Sequence, residues 1–185
     1  MGIKGFKLPD IHNESDRGCV IVAAAVIDSW LEELITSQVK KHSVTNSTLK
    51  SLFDMNGPIS NFSSKIIICR SFGVIDEVAY HDLMIVRKLR NSFAHSSGGA
   101  SFLSLEVRQK VRSMIHAQEH MKTTYKEFFN GSPKISSVDL PTEWELQNAG
   151  LMPVDKSLFI SAIYSIALHV MKCLTGENEF IWKLN

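Results

Sequence analysis

From residue 15 onward the apolar positions of the chain recur at three- and four-residue spacing, and no alternating strand pattern of any length survives, so the chain reads as helical. Ser15-Asp16 supplies an N-cap and a first-turn acid for a long helix ending near Lys41. Its first half, Cys19 to Ile27, is apolar on every side, which predicts a central helix surrounded by others. Its second half narrows to one stripe of Ile27, Trp30, Leu31, Leu34 and Ile35. A short helix follows from about Thr48 to Asp54, closed by Asn56-Gly57-Pro58. Ser60 opens a third helix carrying Phe62, Ile66, Ile67 and Cys69, with Phe72 and Gly73 as its stop. The next begins at Asp76 and carries Leu83, Val86, Leu89 and Phe93. After a serine-glycine loop, Val107, Val111, Met114, Gln118, Met121, Tyr125 and Phe128 trace one face of a long helix from about Ser104 to Phe129. A last helix from Asp155 to Leu174 has a wide apolar face.

These elements predict an all-α, multi-helix bundle of about six to seven helices. It forms one domain over residues 1–185, with an irregular lead-in at 1–14 and a long irregular connection at 130–153. Trp144 and Leu146 are expected to pin that connection to the body, with a short helical turn from Pro141 to Asn148.

Composition adds an ordinary soluble character: 44% hydrophobic, 21% charged and only five prolines, enough chain to bury a core without staples. The net charge of +1 gives no global pull toward nucleic acid, but the distribution is uneven. Residues 84–126 carry eight Lys/Arg against two Asp/Glu, whereas the segments before and after carry eight against ten and four against seven. The block either faces an anionic partner or complements its acidic neighbours. Cys19, Cys69 and Cys173 are far apart, each inside an apolar pattern, with no metal-ligand spacing to another Cys or a His. They read as buried hydrophobes in a reducing compartment. The polar, glycine-broken N-terminus carries no secretory signal, and the Cys19–Ile27 run falls short of the ~20 residues a membrane span needs. The expectation is a cytoplasmic protein with no membrane contact.

Several chemistries lack their motifs: there is no phosphate-cradling glycine loop, HExxH, paired-Cys site or nucleophile elbow. His116 and His120 are spaced i, i+4 without a third ligand nearby, so neither a metal nor a cofactor is expected. Asp28 directly follows the fully apolar run and shares a face with Glu32. A carboxylate there is costly unless paired, and Arg87 and Arg90 are the first candidate partners. With the buried-looking Asp82 they make a candidate polar cluster. The helix pair 60–73 and 76–95 has the connectivity of a helix-turn-helix, but its second helix carries an apolar stripe and Asp82 rather than a row of base-reading side chains.

The most informative stretch is Arg87-Lys88-Leu89-Arg90-Asn91-Ser92-Phe93-Ala94-His95-Ser96. In an ideal helix Arg90 and His95 stand roughly 140° apart, so they converge only if the helix unwinds near Ala94, which Ser96-Ser97-Gly98-Gly99 favours. Two readings stay open. Arginine and histidine at a helix end can hold a phosphate and move a proton, as phosphodiester cleavage by a neighbouring 2′-hydroxyl requires. Alternatively Arg90 and Asn91 bond to a neighbouring helix, and His95 caps the last carbonyls.

With these residues in view, the chain resembles the mannitol operon repressor family. The resemblance is carried by Asp16-Arg17, Val22-Ala23-Ala24-Ala25 and Asp28; by Gly57-Pro58-Ile59 with Phe62-Ser63; by Phe72-Gly73; and by Tyr80-His81-Asp82-Leu83 leading into Ile85 through His95. It spans roughly residues 15–96 and implies an all-helical bacterial regulator tied to sugar-alcohol uptake, without an ordinary DNA-binding motif. The Arg-Asn-x-x-x-His core also resembles the signature of the HEPN superfamily, helical domains that include metal-independent ribonucleases usually acting as dimers. That resemblance would make Arg90 and His95 catalytic with Asn91 in support. Together they imply a regulatory interaction protein first and an endoribonuclease second. The expected partners are a second copy in a homodimer, an unidentified regulatory protein and, for the ribonuclease, RNA. No sequence-specific DNA binding by the chain alone is expected.

Overall fold

The computed structural model describes residues 9–95, 99–128 and 154–175. The connection at 130–153, with the roles expected of Trp144 and Leu146, lies outside the described residues. Seven helices and no strands are described: α1 Asp16–Lys40, α2 Asn46–Phe53, α3 Phe62–Ser71, α4 Glu77–His95, α5 Leu105–Arg112, α6 Ile115–Phe128 and α7 Val154–Thr175. The all-α bundle is as the periodicity predicts.

The helix ends follow local chemistry. The Ser15 hydroxyl accepts the Gly18 N–H at 3.0 Å, Thr45 and Asn61 cap α2 and α3 in the same way, and the Asp76 carboxylate accepts the Ala79 N–H at 2.8 Å just before α4. Gly57 sits where a β-carbon would collide with the carbonyls of Ser51 and Leu52, so the turn after α2 requires glycine. Gly73, at φ +65°, closes α3 in the left-handed conformation.

α1 packs against α3, α4 and α7, burying Cys19, Val20, Ala23, Ala24, Ile27, Trp30, Leu31, Leu34 and Ile35. Its apolar run is not fully enclosed, however: Ala25 is exposed and Ile21, Val22 and Val26 are half-buried. α7 is the more enclosed helix, meeting α1, α4, α5 and α6. By length and a mean hydropathy of 1.6 it is apolar enough to cross a membrane, which the sequence reading did not single out. Here it is a core helix, and even Asp155 and Lys156 in its first turn are buried. Phe93, Phe102 and Phe159 form a ring ladder with centroids 5.7 and 5.4 Å apart, tying α4 and α7 through the segment before α5. The lead-in contributes as well, since Ile11 is fully buried.

One element departs from the predicted boundaries. The expected helix over 104–129 is broken at Ser113–Met114 into α5 and α6. The break shifts the face: Met114 and Ala117 are buried, whereas Gln118 is exposed and its side-chain amide donates to the Arg112 carbonyl at the end of α5.

Candidate functional site

The cause of that break is the most elaborate polar arrangement among the described residues. Asp82 of α4 is fully buried, and its carboxylate accepts four hydrogen bonds. Oδ1 takes the Ile115 N–H at 2.8 Å and His81 Nδ1 at 2.9 Å, while Oδ2 takes the His116 N–H at 3.0 Å and His116 Nδ1 at 2.8 Å. Asp82 therefore caps α6 from another helix, satisfying amides that α6 would otherwise leave unpaired and bringing negative charge to its N-terminus. Burial alone would raise its pKa, but the bonds from His116, His81 and Ile115 outweigh that and hold it below its ordinary 3.8. Both imidazoles meet the carboxylate through Nδ1, so as donors they keep Nε2 free of that proton. His81 is close to half exposed; His116 is largely covered.

The expected cluster of Asp28, Glu32, Asp82, Arg87 and Arg90 is not one group. Asp28 and Glu32 do share a face, but their cation is Lys65 of α3, at 3.2 and 2.8 Å, and not Arg87 or Arg90. Nor is Asp28 deeply buried; its side chain is one-third exposed while that of Lys65 is 5% exposed. Burial would lower the Lys65 pKa, yet the paired carboxylates raise it above 10.5. The physical reason for the mispairing is that α3 presents Lys65 to the Asp28 and Glu32 face of α1, whereas Arg87 is half-buried and Arg90 exposed, and neither meets a carboxylate among the described residues.

Arg90, Asn91 and His95 are all exposed, and no hydrogen bond or ion pair joins their side chains to another described residue. α4 stays helical through His95, so Arg90 and His95 remain roughly 140° apart around one helix and do not converge within the chain. One of the last carbonyls is met instead by Arg17, whose guanidinium donates to Ala94 O at 3.2 Å.

The basic faces expected of the 104–129 segment are partly internal. Asp155 of α7, buried to 2%, takes Arg112 as a two-pronged partner at 2.7 and 3.0 Å and Arg108 at 3.2 Å. His169 and Cys173, one turn apart on α7, were missed by the spacing analysis. Cys173 Sγ lies 3.6 Å from His169 Nε2, and His169 Nδ1 lies 3.7 Å from Asp76 Oδ2. Burial raises the Cys173 thiol and lowers the imidazole from its ordinary 6.5, so both stay neutral rather than forming a reactive thiolate. Burial likewise pushes Cys19 and Cys69 up to about 12, the inert thiols expected of core residues. Among the described residues no His, Cys, Asp and Glu gather in threes that could hold a metal ion. A cavity of about 290 Å³ between α1 and α3 is lined mainly by apolar groups, among them Ile35, Val39, Ile68, Cys69 and Phe72.

A protein-family model described as mannitol repressor matches residues 11–141, which is most of the chain. The chain belongs to the mannitol repressor family. A search of curated proteins gave no match. Among solved structures the bundle is similar to the X-ray structure of the MtlR-HPr complex from Escherichia coli, with 15% identity, a TM-score of 0.53, and 89% of this chain and 90% of that chain covered. At that identity the likeness shows a shared fold. In the mannitol repressor family framework, the conspicuous Tyr80-His81-Asp82-Leu83 stretch contains the buried capping carboxylate, and Arg87 through His95 forms an exposed helical strip.

Proposed function

We propose that this member of the mannitol repressor family is a cytoplasmic transcriptional regulator that acts through a protein partner of the HPr kind and not by reading base edges itself. The observation that carries the reading is the family match over residues 11–141; the likeness to a chain solved in complex with HPr supports the partner. The α3–α4 pair supports the absence of a DNA-reading helix. A recognition helix reads bases from its N-terminal residues, and α4 opens there with Asp76 and Glu77, the latter bound to Arg70 at 2.7 Å. Calorimetry with purified HPr should show binding, and a titration against promoter DNA at several salt concentrations should show no sequence-selective affinity. Sequence-selective nanomolar DNA binding at physiological salt would refute the partner-mediated version.

A second reading, metal-independent cleavage of RNA, is favoured by one observation: Arg90, Asn91 and His95 are exposed and uncommitted among the described residues. Because α4 holds Arg90 and His95 on different faces, the site would be completed by a second copy in a two-fold dimer. EDTA-resistant cleavage of labelled RNA that vanishes in His95→Ala supports it; a monomer mass by light scattering, or intact RNA, rules it out.

A further inference from the structure

The cavity of about 290 Å³ between the ends of α1 and α3 plays no part in the polar arrangements above. Val39 and Ile68 line it half-buried, Cys69 lines it fully buried, and Phe72 lines it while 75% exposed. Its charge is one-sided. None of the eight lining residues is acidic, His42 is among them, and Lys41 Nζ donates to the lining Gln38 at 2.8 Å. These cations suit the dipole at the end of α1, and they make the mouth of the cavity complementary to an acidic group beside an apolar one. A free small molecule would find no polar anchor inside: no lining residue has a buried side-chain N or O atom without a partner, a condition met among the described residues by Asp28 Oδ1. An occupant tethered to the chain needs no such anchor, because the tether supplies its effective concentration.

The tether is α7. Its last turns lie against the segment that forms one wall of the cavity: His169 Nδ1 is 3.7 Å from Asp76 Oδ2, two residues past the lining Val74. Cys173 and Leu174 pack on the core, and burial, then the nearness of Cys173, raises the thiol of the lining Cys69. α7 ends at Thr175, and residues 176–185 lie outside the described residues. Their sequence places two carboxylates, Glu177 and Glu179, directly before Phe180-Ile181-Trp182, an acidic group beside an apolar one. From Thr175 to Phe180 and to Trp182 the extended chain spans at most roughly 18 and 25 Å, enough to pass a helix about 10–12 Å across. The exposed Phe72 ring would gain an aromatic neighbour there.

We propose that Phe180-Ile181-Trp182 docks in the cavity between α1 and α3, with Glu177 and Glu179 toward Lys41 and His42, so that the chain covers this end of its own bundle. The proposal goes beyond the partner-mediated reading and does not rest on it. Nuclear Overhauser contacts are measured on the whole chain with labelled Ile, Leu and Val methyls, the Trp182 indole being identified by its loss in Trp182→Phe. Expected are contacts from that indole to the Val39, Ile68 and Val74 methyls, unchanged on about tenfold dilution. A Trp182 indole without them overturns the proposal. Contacts found only between differently labelled copies in a mixed sample assign the cavity to a second copy and overturn it as well. The second measurement titrates a synthetic peptide of residues 176–185 into wild type and into the whole-chain Phe180→Ser/Trp182→Ser variant, its folding checked by thermal melt. The wild-type segment competes at roughly millimolar effective concentration, so the peptide should bind the variant about tenfold or more tightly than wild type. Equal affinity for the two, or no binding to the folded variant, overturns the proposal; if the variant does not fold, the contacts in wild type decide alone. A peptide carrying Glu177→Lys and Glu179→Lys should bind the variant about fivefold more weakly at low salt, and an unchanged affinity overturns the charge match and the proposal with it. Decanoate that binds wild type as tightly as the variant marks a cavity open to small amphiphiles and has the same consequence.

Discussion

Replacing Asp82 with Asn tests the cross-helix cap. Asn preserves the volume but keeps one acceptor oxygen, so it can serve either the Ile115 and His81 donors or the two His116 donors. Its NH₂ then faces the remaining two. Hydrogen bonds to a charged acceptor contribute about 1.5–3 kcal/mol each, so losing two amounts to roughly 3–6 kcal/mol. The neutral amide is cheaper to bury than the carboxylate, which brings the expected loss to about 3–5 kcal/mol. For a domain of this size that lowers Tm by on the order of 10 °C. The pH dependence adds a signature. The folded-state pKa of Asp82 is held below 3.8, so its contribution is complete above 3.8 and disappears as pH falls through the depressed folded value. Wild type and Asp82→Asn should therefore differ fully at pH 7 and converge in acid. Urea denaturation followed by far-UV circular dichroism at several pH values measures the gap, and hydrogen exchange should show the Ile115 and His116 amides losing protection first. A variant within about 1 kcal/mol of wild type at pH 7, or a gap that widens on acidification, refutes the reasoning.

The Asp155 clamp predicts an asymmetry: Asp155→Ala leaves arginines that are 31% and 39% exposed and can turn to water, for a loss of about 1–3 kcal/mol. The double Arg108→Ala/Arg112→Ala variant strands a buried carboxylate and should lose about 3–5 kcal/mol, more than its single variants combined; simple additivity in chemical denaturation counts against it. Arg90→Ala and His95→Ala should each stay within about 0.5 kcal/mol of wild type by the same measurement, whereas Leu89→Ala, at the buried position just before Arg90, should lose about 2–5 kcal/mol. A marked loss at Arg90 or His95 would place them in a structural contact.

Helical periodicity reports which face of an element is apolar, and on that information α1, α3, α4 and α7 were readable to within a few residues, as were the buried Leu83, Val86, Leu89 and Phe93. It does not report which element lies opposite. Asp28 was recognisable as a carboxylate needing a cation, but Lys65 and the arginines of α4 were equally basic on paper. The break after α5 was hidden for a related reason. No proline or glycine marks Ser113–Met114, and the capping carboxylate comes from a residue more than thirty positions earlier. One trace was present: Gln118 sat in an otherwise apolar stripe, a sign that the face had slipped by a residue. Asp82 stood out as a buried acid inside an apolar helix, but its role follows only from three-dimensional proximity.

The placement of α7 bears on where the family's structural unit ends. Sequence kinship is detectable to residue 141, yet the helix at Val154–Thr175 fills space between α1, α4, α5 and α6 and supplies ten buried residues. Its absence would uncover the inner sides of Cys19 and Phe102 and leave Arg108 and Arg112 without Asp155. A fragment cut at the limit of recognisable kinship would be a bundle opened along its length, prone to bind copies of itself through the vacated seam. In this chain the segment that the family model matches and the segment that folds are different stretches, and recombinant fragments should be chosen by the second.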